Sequence, residues 1–164
     1  MNRCIAGGIC AVALLALALM SDGALSQQGS IKEQLVGTWT LVSINRSSTF
    51  GTDPKGIAVF DGTDHFIIAV MRSDRPKYAV NDRTRGTIEE DKATAQGTLT
   101  YFGTYSVSEA EHTIAIHVIG SSFPNWDGAD QKRIFTLKGD ELKLANRVAS
   151  AGEGTTEVVF RRAK

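Results

Sequence analysis

Apolar residues recur at every second position through most of this chain, and a period of two marks half-buried β-strands, not helices. The clearest run is residues 99–107, where Leu99, Tyr101, Gly103, Tyr105 and Val107 alternate with Thr98, Thr100, Thr104 and Ser106. The same period predicts strands over 35–44, 57–60, 65–71, 112–121, 131–138, 141–147 and 155–162, eight in all. In the first of them Trp39 and Leu41 share one face, and Thr38 and Thr40 the other. Turn chemistry separates several of the runs: Asp53-Pro54-Lys55-Gly56, Asp61-Gly62 and Lys138-Gly139-Asp140. One segment breaks the period. Thr87 is a candidate N-cap, followed by Glu89, Glu90 and Asp91, whose carboxylates complement the positive end of a helix, and Gly97 ends the run. One short helix is therefore predicted over 88–96.

Eight antiparallel strands joined mainly by short turns close into an up-and-down β-barrel, which removes the sheet edges that invite aggregation. An open sandwich of the same strands is the alternative. A barrel of eight strands is just wide enough to be filled by side chains or to hold one small ligand.

Residues 1–26 follow a different grammar. Arg3 supplies a positive charge, the twelve residues from Ile9 to Met20 are apolar, and Ala24-Leu25-Ser26 places small residues at a cleavage site. That order is a secretory signal peptide. A bilayer-spanning helix needs about 20 apolar residues, so a retained anchor fits less well. Cys10 precedes most of the apolar run, which argues against lipid attachment there. The expectation is a secreted or periplasmic protein whose barrel domain occupies 27–164, with no membrane span after cleavage. Cys4 and Cys10 leave with the signal, so the domain enters an oxidising compartment with no disulfide. It keeps 17 basic and 17 acidic residues. Nucleic acid and anionic membranes call for a basic excess, so neither partner is expected. A monomer is predicted.

Candidate chemistry lies on the strand faces that alternation turns inward. His117 sits in the apolar run from Ile114 to Ile119, on the face of Ala115 and Ile119. Its imidazole needs hydrogen-bond partners if buried. Arg133 shares a face with Phe135 and Leu137, and a guanidinium inside a barrel requires a carboxylate, a hydroxyl cluster or an anionic ligand. Tyr101 and Tyr105 project from the apolar face of their strand. Together Tyr101, Tyr105, His117 and Arg133 make a polar cluster suited to a small hydrophobic molecule with an acidic or carbonyl head. The competing reading is a network that satisfies only itself. Ser121-Ser122-Phe123-Pro124-Asn125-Trp126 is either a flap over the barrel mouth or a plug of its core, and 72–77 either a lid or a solvated loop. No metal site or cofactor is expected. His112 and His117 fall on opposite faces of one strand, and neither a Gly-x-Ser-x-Gly elbow nor a phosphate-cradling glycine loop occurs.

Leu35-Val36-Gly37-Thr38-Trp39 resembles the Gly-x-Trp signature of lipocalin and calycin barrels. More specifically, the chain resembles the bacterial and fungal lipocalin-like domain family. The matching segments are 53–56, 71–77, 101–107 and 120–126, so the likeness runs from Leu35 to Arg162. It implies a calycin-type fold and small-ligand binding. It also implies that Trp39 packs beneath an arginine of the last strand, Arg162 or else Arg161, to close the barrel floor. The expected function is binding of a small, mainly hydrophobic ligand in the barrel interior. Two alternatives stand beside it. One is an isomerase- or cyclase-type enzyme in the same pocket, with His117 as general acid or base and Tyr105 or Arg133 stabilising an enolate-like oxygen. The other is a structural or partner-binding barrel with a filled core.

Overall fold

Ser30 begins a helix that alternation alone conceals. Its hydroxyl accepts from the Glu33 backbone N–H while the Glu33 carboxylate accepts from the Ser30 N–H, a reciprocal cap that holds α1 (Ile31–Leu35). The computed structural model describes residues 29–147 and 154–164, and the predicted export segment 1–26 lies outside the described residues. Leu35, read above as the first strand residue, instead ends α1, and β1 runs Gly37–Ile44. A single helical turn, α2 (Ser47–Phe50), follows, then β2 (Lys55–Phe60) and β3 (His65–Met71). The predicted helix is present as α3 (Ile88–Gln96). Thr87 accepts from the Glu90 N–H, and Glu90 accepts from the N–H groups of Thr87 and Ala79, which hold its carboxyl below the ordinary carboxylate range. Then come β4 (Thr98–Ser108), β5 (Thr113–Ser121), a 3₁₀ turn at Pro124–Trp126, β6 (Asp130–Lys138), β7 (Glu141–Asn146) and β8 (Thr156–Arg162).

Each strand pairs antiparallel with its neighbour in sequence, and β8 returns to β1, so the sheet closes as an eight-stranded up-and-down barrel. The open sandwich is thereby ruled out. Among the described residues three short helices accompany the barrel where the sequence predicted one. Both α1 and α2 are shorter than the 11–18 residues over which a 3.6-residue period can be read.

The floor of the barrel is a stacked pair. Trp39 is fully buried, Arg162 lies opposite it in register, and the guanidinium carbon sits 4.1 Å from the indole centroid. Arg162 also donates to the carbonyls of Val36 and Gln34, while the Trp39 N–H donates to Leu35 at 2.9 Å. The guanidinium therefore ties α1, β1 and β8 together, and a desolvated stack of this kind contributes about 1–2 kcal/mol. Gly37 makes the approach possible. Its φ is +136°, and a Cβ there would lie 2.9 Å from Arg162 Nη1.

Candidate functional site

The opposite half of the barrel carries the site. A cavity of about 50 Å³ lies among apolar side chains that include Ile68, Val70, Leu99 and Phe160, and Tyr101, Trp126, Arg133 and Asn146 bring polar groups to its wall, as do Arg46 and Thr156, which are bonded to each other. Alternation aims Tyr101 and Leu99 inward from β4, Arg133 from β6 and Asn146 from β7. Trp126 enters from the 3₁₀ turn, where Pro124 presets the helical φ. It is buried, edge-on to Tyr101 at 5.2 Å and to Phe123 at 5.9 Å. Of the two readings for this segment, Trp126 fits the plug: it is buried in the core, while Phe123 lines the open mouth.

Arg133 is the residue that defines the chemistry. It is 4 % exposed, and its guanidinium donates to Asn146 Oδ1 at 2.9 Å and to Gln131 Oε1. Its carbon also sits 5.6 Å from the Trp126 ring centroid and 6.0 Å from that of Tyr101. Among the described residues, no carboxylate lies within ion-pair distance of it. Around this uncompensated cation stand further donors. The Tyr101 hydroxyl and the Trp126 indole N–H have no hydrogen-bond partner among the described residues, and the Gln131 amide nitrogen is buried without one. Buried polar groups are ordinarily paired, and a buried cation more strictly so. A wall presenting a charge and several unpartnered donors suits an acceptor-bearing group.

Of the four residues expected to cluster, the structure brings together only Tyr101 and Arg133. Tyr105 is buried but lies away from the cavity. Its hydroxyl donates to the Asp61 carbonyl at 2.8 Å, its ring meets Phe60 edge-on at 5.1 Å, and burial pushes its phenol above the ordinary value. It pins the β2–β3 turn. His117 is a correction of direction. It points outward, its side chain about half exposed and 2.8 Å from Asp130 Oδ1, while Ile114, Ile116 and Val118 fill the interior from the same strand. Both faces of β5 read as apolar, because the outward face carries Ala115 and Ile119, the latter 53 % exposed, so alternation alone does not choose between them. With His117 outside, the enzyme alternative loses the base it assigned to the pocket. Among the described residues no cluster of three metal-ligating side chains occurs.

Gln131 and Asn146 carry the same signal in the sequence as Arg133. Gln131 precedes Arg133 by two on the inward face of β6. Asn146 follows Leu142 and Leu144 by the same step on β7. Each is a polar side chain breaking an inward apolar run. Phe50 had no such signal, since α2 is a single turn.

A second, larger hollow adjoins the first. An open cleft of about 690 Å³ lies between α2, the segment 72–76 and the C-terminal end of α3, and Phe50 and Leu99 line both it and the interior cavity. Arg72 braces this rim. It grips both oxygens of Asp74, at 2.8 and 2.7 Å, holding that carboxyl below its ordinary range, and donates to the Thr49 carbonyl.

A closed eight-stranded barrel of this kind is just wide enough to be filled by side chains or to hold one small ligand. The chain belongs to the lipocalin-like domain family, which residues 36–163 match. It is 34 % identical over 82 residues to the 4'-hydroxy-3'-methoxypropiophenone carrier protein of Aspergillus oryzae, a stretch covering 46 % of this chain and 74 % of that protein. Among solved structures it is similar to a lipocalin-like protein from Bacteroides uniformis, with a TM-score of 0.43 and 20 % identity, covering 79 % of this chain and 98 % of that one. It is also similar to the REP1-NXSQ fatty acid transporter, with a TM-score of 0.38 and 13 % identity, covering 80 % and 98 %.

Proposed function

We propose that this protein is a carrier for one small, mainly apolar molecule that presents an acceptor group, a carboxylate or carbonyl, to Arg133. The observation that carries the reading is the buried guanidinium with only neutral partners among the described residues, set in an apolar wall beside two unpartnered donors. The likeness to a carrier of an aryl ketone agrees with this chemistry, because that ligand is an apolar ring bearing oxygen acceptors. Size decides how such a molecule sits. The interior cavity of about 50 Å³ holds roughly three or four waters' worth of space, whereas ligand pockets run to about 300–1,000 Å³. The cleft of about 690 Å³ falls in that range. The head therefore enters the cavity while the body occupies the mouth.

The test is titration with 4'-hydroxy-3'-methoxypropiophenone and with octanoate, followed by calorimetry and tryptophan fluorescence. Saturable binding with a change in emission is expected, and Trp126→Phe should abolish the emission change, since Trp39 lies beneath Arg162 at the far end. Neither heat nor fluorescence change with either compound would refute the carrier reading. It would leave the filled-core barrel, which the small interior volume favours. The same proposal places the carrier outside the cytoplasm. Expressed with its leader and recovered from the exported fraction, the protein should have an intact mass that begins at Gln27, and a mass that retains residues 1–26 would overturn that placement.

A further inference from the structure

The cleft at the barrel mouth holds a second cation with no counter-charge. Arg75 lines it, half-buried, and its Nε donates to the Arg72 carbonyl at 3.0 Å and its Nη1 to Thr98 Oγ1 at 2.8 Å. Its Nη2 points at the Met71 sulfur at 3.3 Å, and a thioether is a weak acceptor. The neighbouring carboxylate is already engaged, because both oxygens of Asp74 are held by Arg72. No other carboxylate lies within ion-pair distance of Arg75 among the described residues, and the described lining of the cleft carries two arginines against one aspartate. Three hydrogen bonds from three different nitrogens fix the fork in place, so it is aimed before any ligand arrives. A guanidinium has five N–H donors, and two of these remain uncommitted.

This cation lines the cleft, and Arg133 lines the cavity that adjoins it. The cleft that Arg75 lines and the cavity that Arg133 walls share Phe50 and Leu99, so an apolar body lying against those two side chains would reach from one hollow into the other. We infer that the ligand carries acceptor groups at both ends, the inner one held by Arg133 and the outer one by Arg75. The inference rests on the carrier reading and deepens it, since it names the ligand class as an apolar spacer with two oxygen-bearing termini. Arg75 gives an outer carboxylate a fixed cationic partner beside the apolar side chains of Phe50, Leu99 and Phe123.

Monocarboxylates and dicarboxylates of equal length, from six to twelve carbons, separate the possibilities by calorimetry on the intact protein. At one or more lengths the diacid should bind at least tenfold tighter than the monoacid. Arg75→Met should erase that gain and leave monoacid affinity unchanged, and Arg75→Lys should restore part of it. Diacids that bind no better than monoacids at every length would overturn the two-ended ligand while leaving the carrier reading intact. An equal loss of mono- and diacid affinity in Arg75→Met would overturn it too, since that marks Arg75 as a brace of the mouth. If the unsubstituted protein binds neither series but does bind 4'-hydroxy-3'-methoxypropiophenone, the two-ended ligand is overturned and the carrier reading stands; if it binds none of them, both fail.

Discussion

Arg133→Met should weaken binding of an acceptor-headed ligand by roughly one to two orders of magnitude while changing stability by less than about 1 kcal/mol. The two halves of this expectation come from different physics. A hydrogen bond from a charged donor is worth about 1.5–3 kcal/mol, and its loss with the ligand's acceptor sets the drop in affinity. Stability is a near-cancellation. Burying a guanidinium that no carboxylate compensates costs several kcal/mol, by general experience about as much as its contacts return. Those contacts are the bonds to Asn146 and Gln131 and the two aromatic faces at 5.6 and 6.0 Å. Methionine keeps an unbranched stem of similar length against Trp126 and Tyr101 and favours aromatic neighbours. Thermal melting without ligand and calorimetry with octanoate read the two quantities separately. A melting point that falls steeply with affinity unchanged would show that Arg133 serves the fold and not a ligand.

Gly103→Ala should destabilise the barrel by about 3 kcal/mol or more, or prevent folding. Gly103 lies on the inward face of β4 at the irregularity where its pairing with β5 shifts, after Phe102. A Cβ there would stand 1.9 Å from the His117 carbonyl oxygen and 3.0 Å from the Ile119 nitrogen. Both are backbone atoms of the paired strand, so neither can swing aside as a side-chain tip would. Relief requires the two strands to part at the most extensively paired junction of the sheet. Gly62→Ala provides the comparison. Nothing lies within 4 Å of its Cβ position, and the change should stay within about 0.5 kcal/mol. Equal denaturation midpoints for the two variants would refute the argument.

His117 and Arg133 show how far alternation reaches. On β6 the inward face carries Arg133, Phe135 and Leu137, while the outward face carries Lys132 and Thr136, with Ile134 the one apolar exception, so the faces differ enough to assign. On β5 the two faces offer Ile114, Ile116 and Val118 against Ala115, His117 and Ile119, and both read as apolar. Only the register with β4 and β6, which sets Ile116 opposite Tyr105 and His117 opposite Asp130, decides which face turns in. Tyr105 shows a different limit. Its inward direction was legible, but its distance from Arg133 was not, because alternation assigns a side and says nothing of height along the barrel.

The chain's own pattern determined the eight strands, the capped helix α3 and the inward arginine, because each follows from a local period or a local hydrogen-bond partner. Resemblance added the Trp39–Arg162 pair. Tertiary closure decided the rest. Phe50, Leu99, Tyr101, Trp126, Arg133 and Asn146 come from five separate parts of the chain and meet only because β8 returns to β1 and sets every strand's stagger against its neighbours. Whether Arg133 meets a carboxylate is likewise a question of which residues the closed sheet brings within 4 Å, a property no stretch of sequence holds by itself.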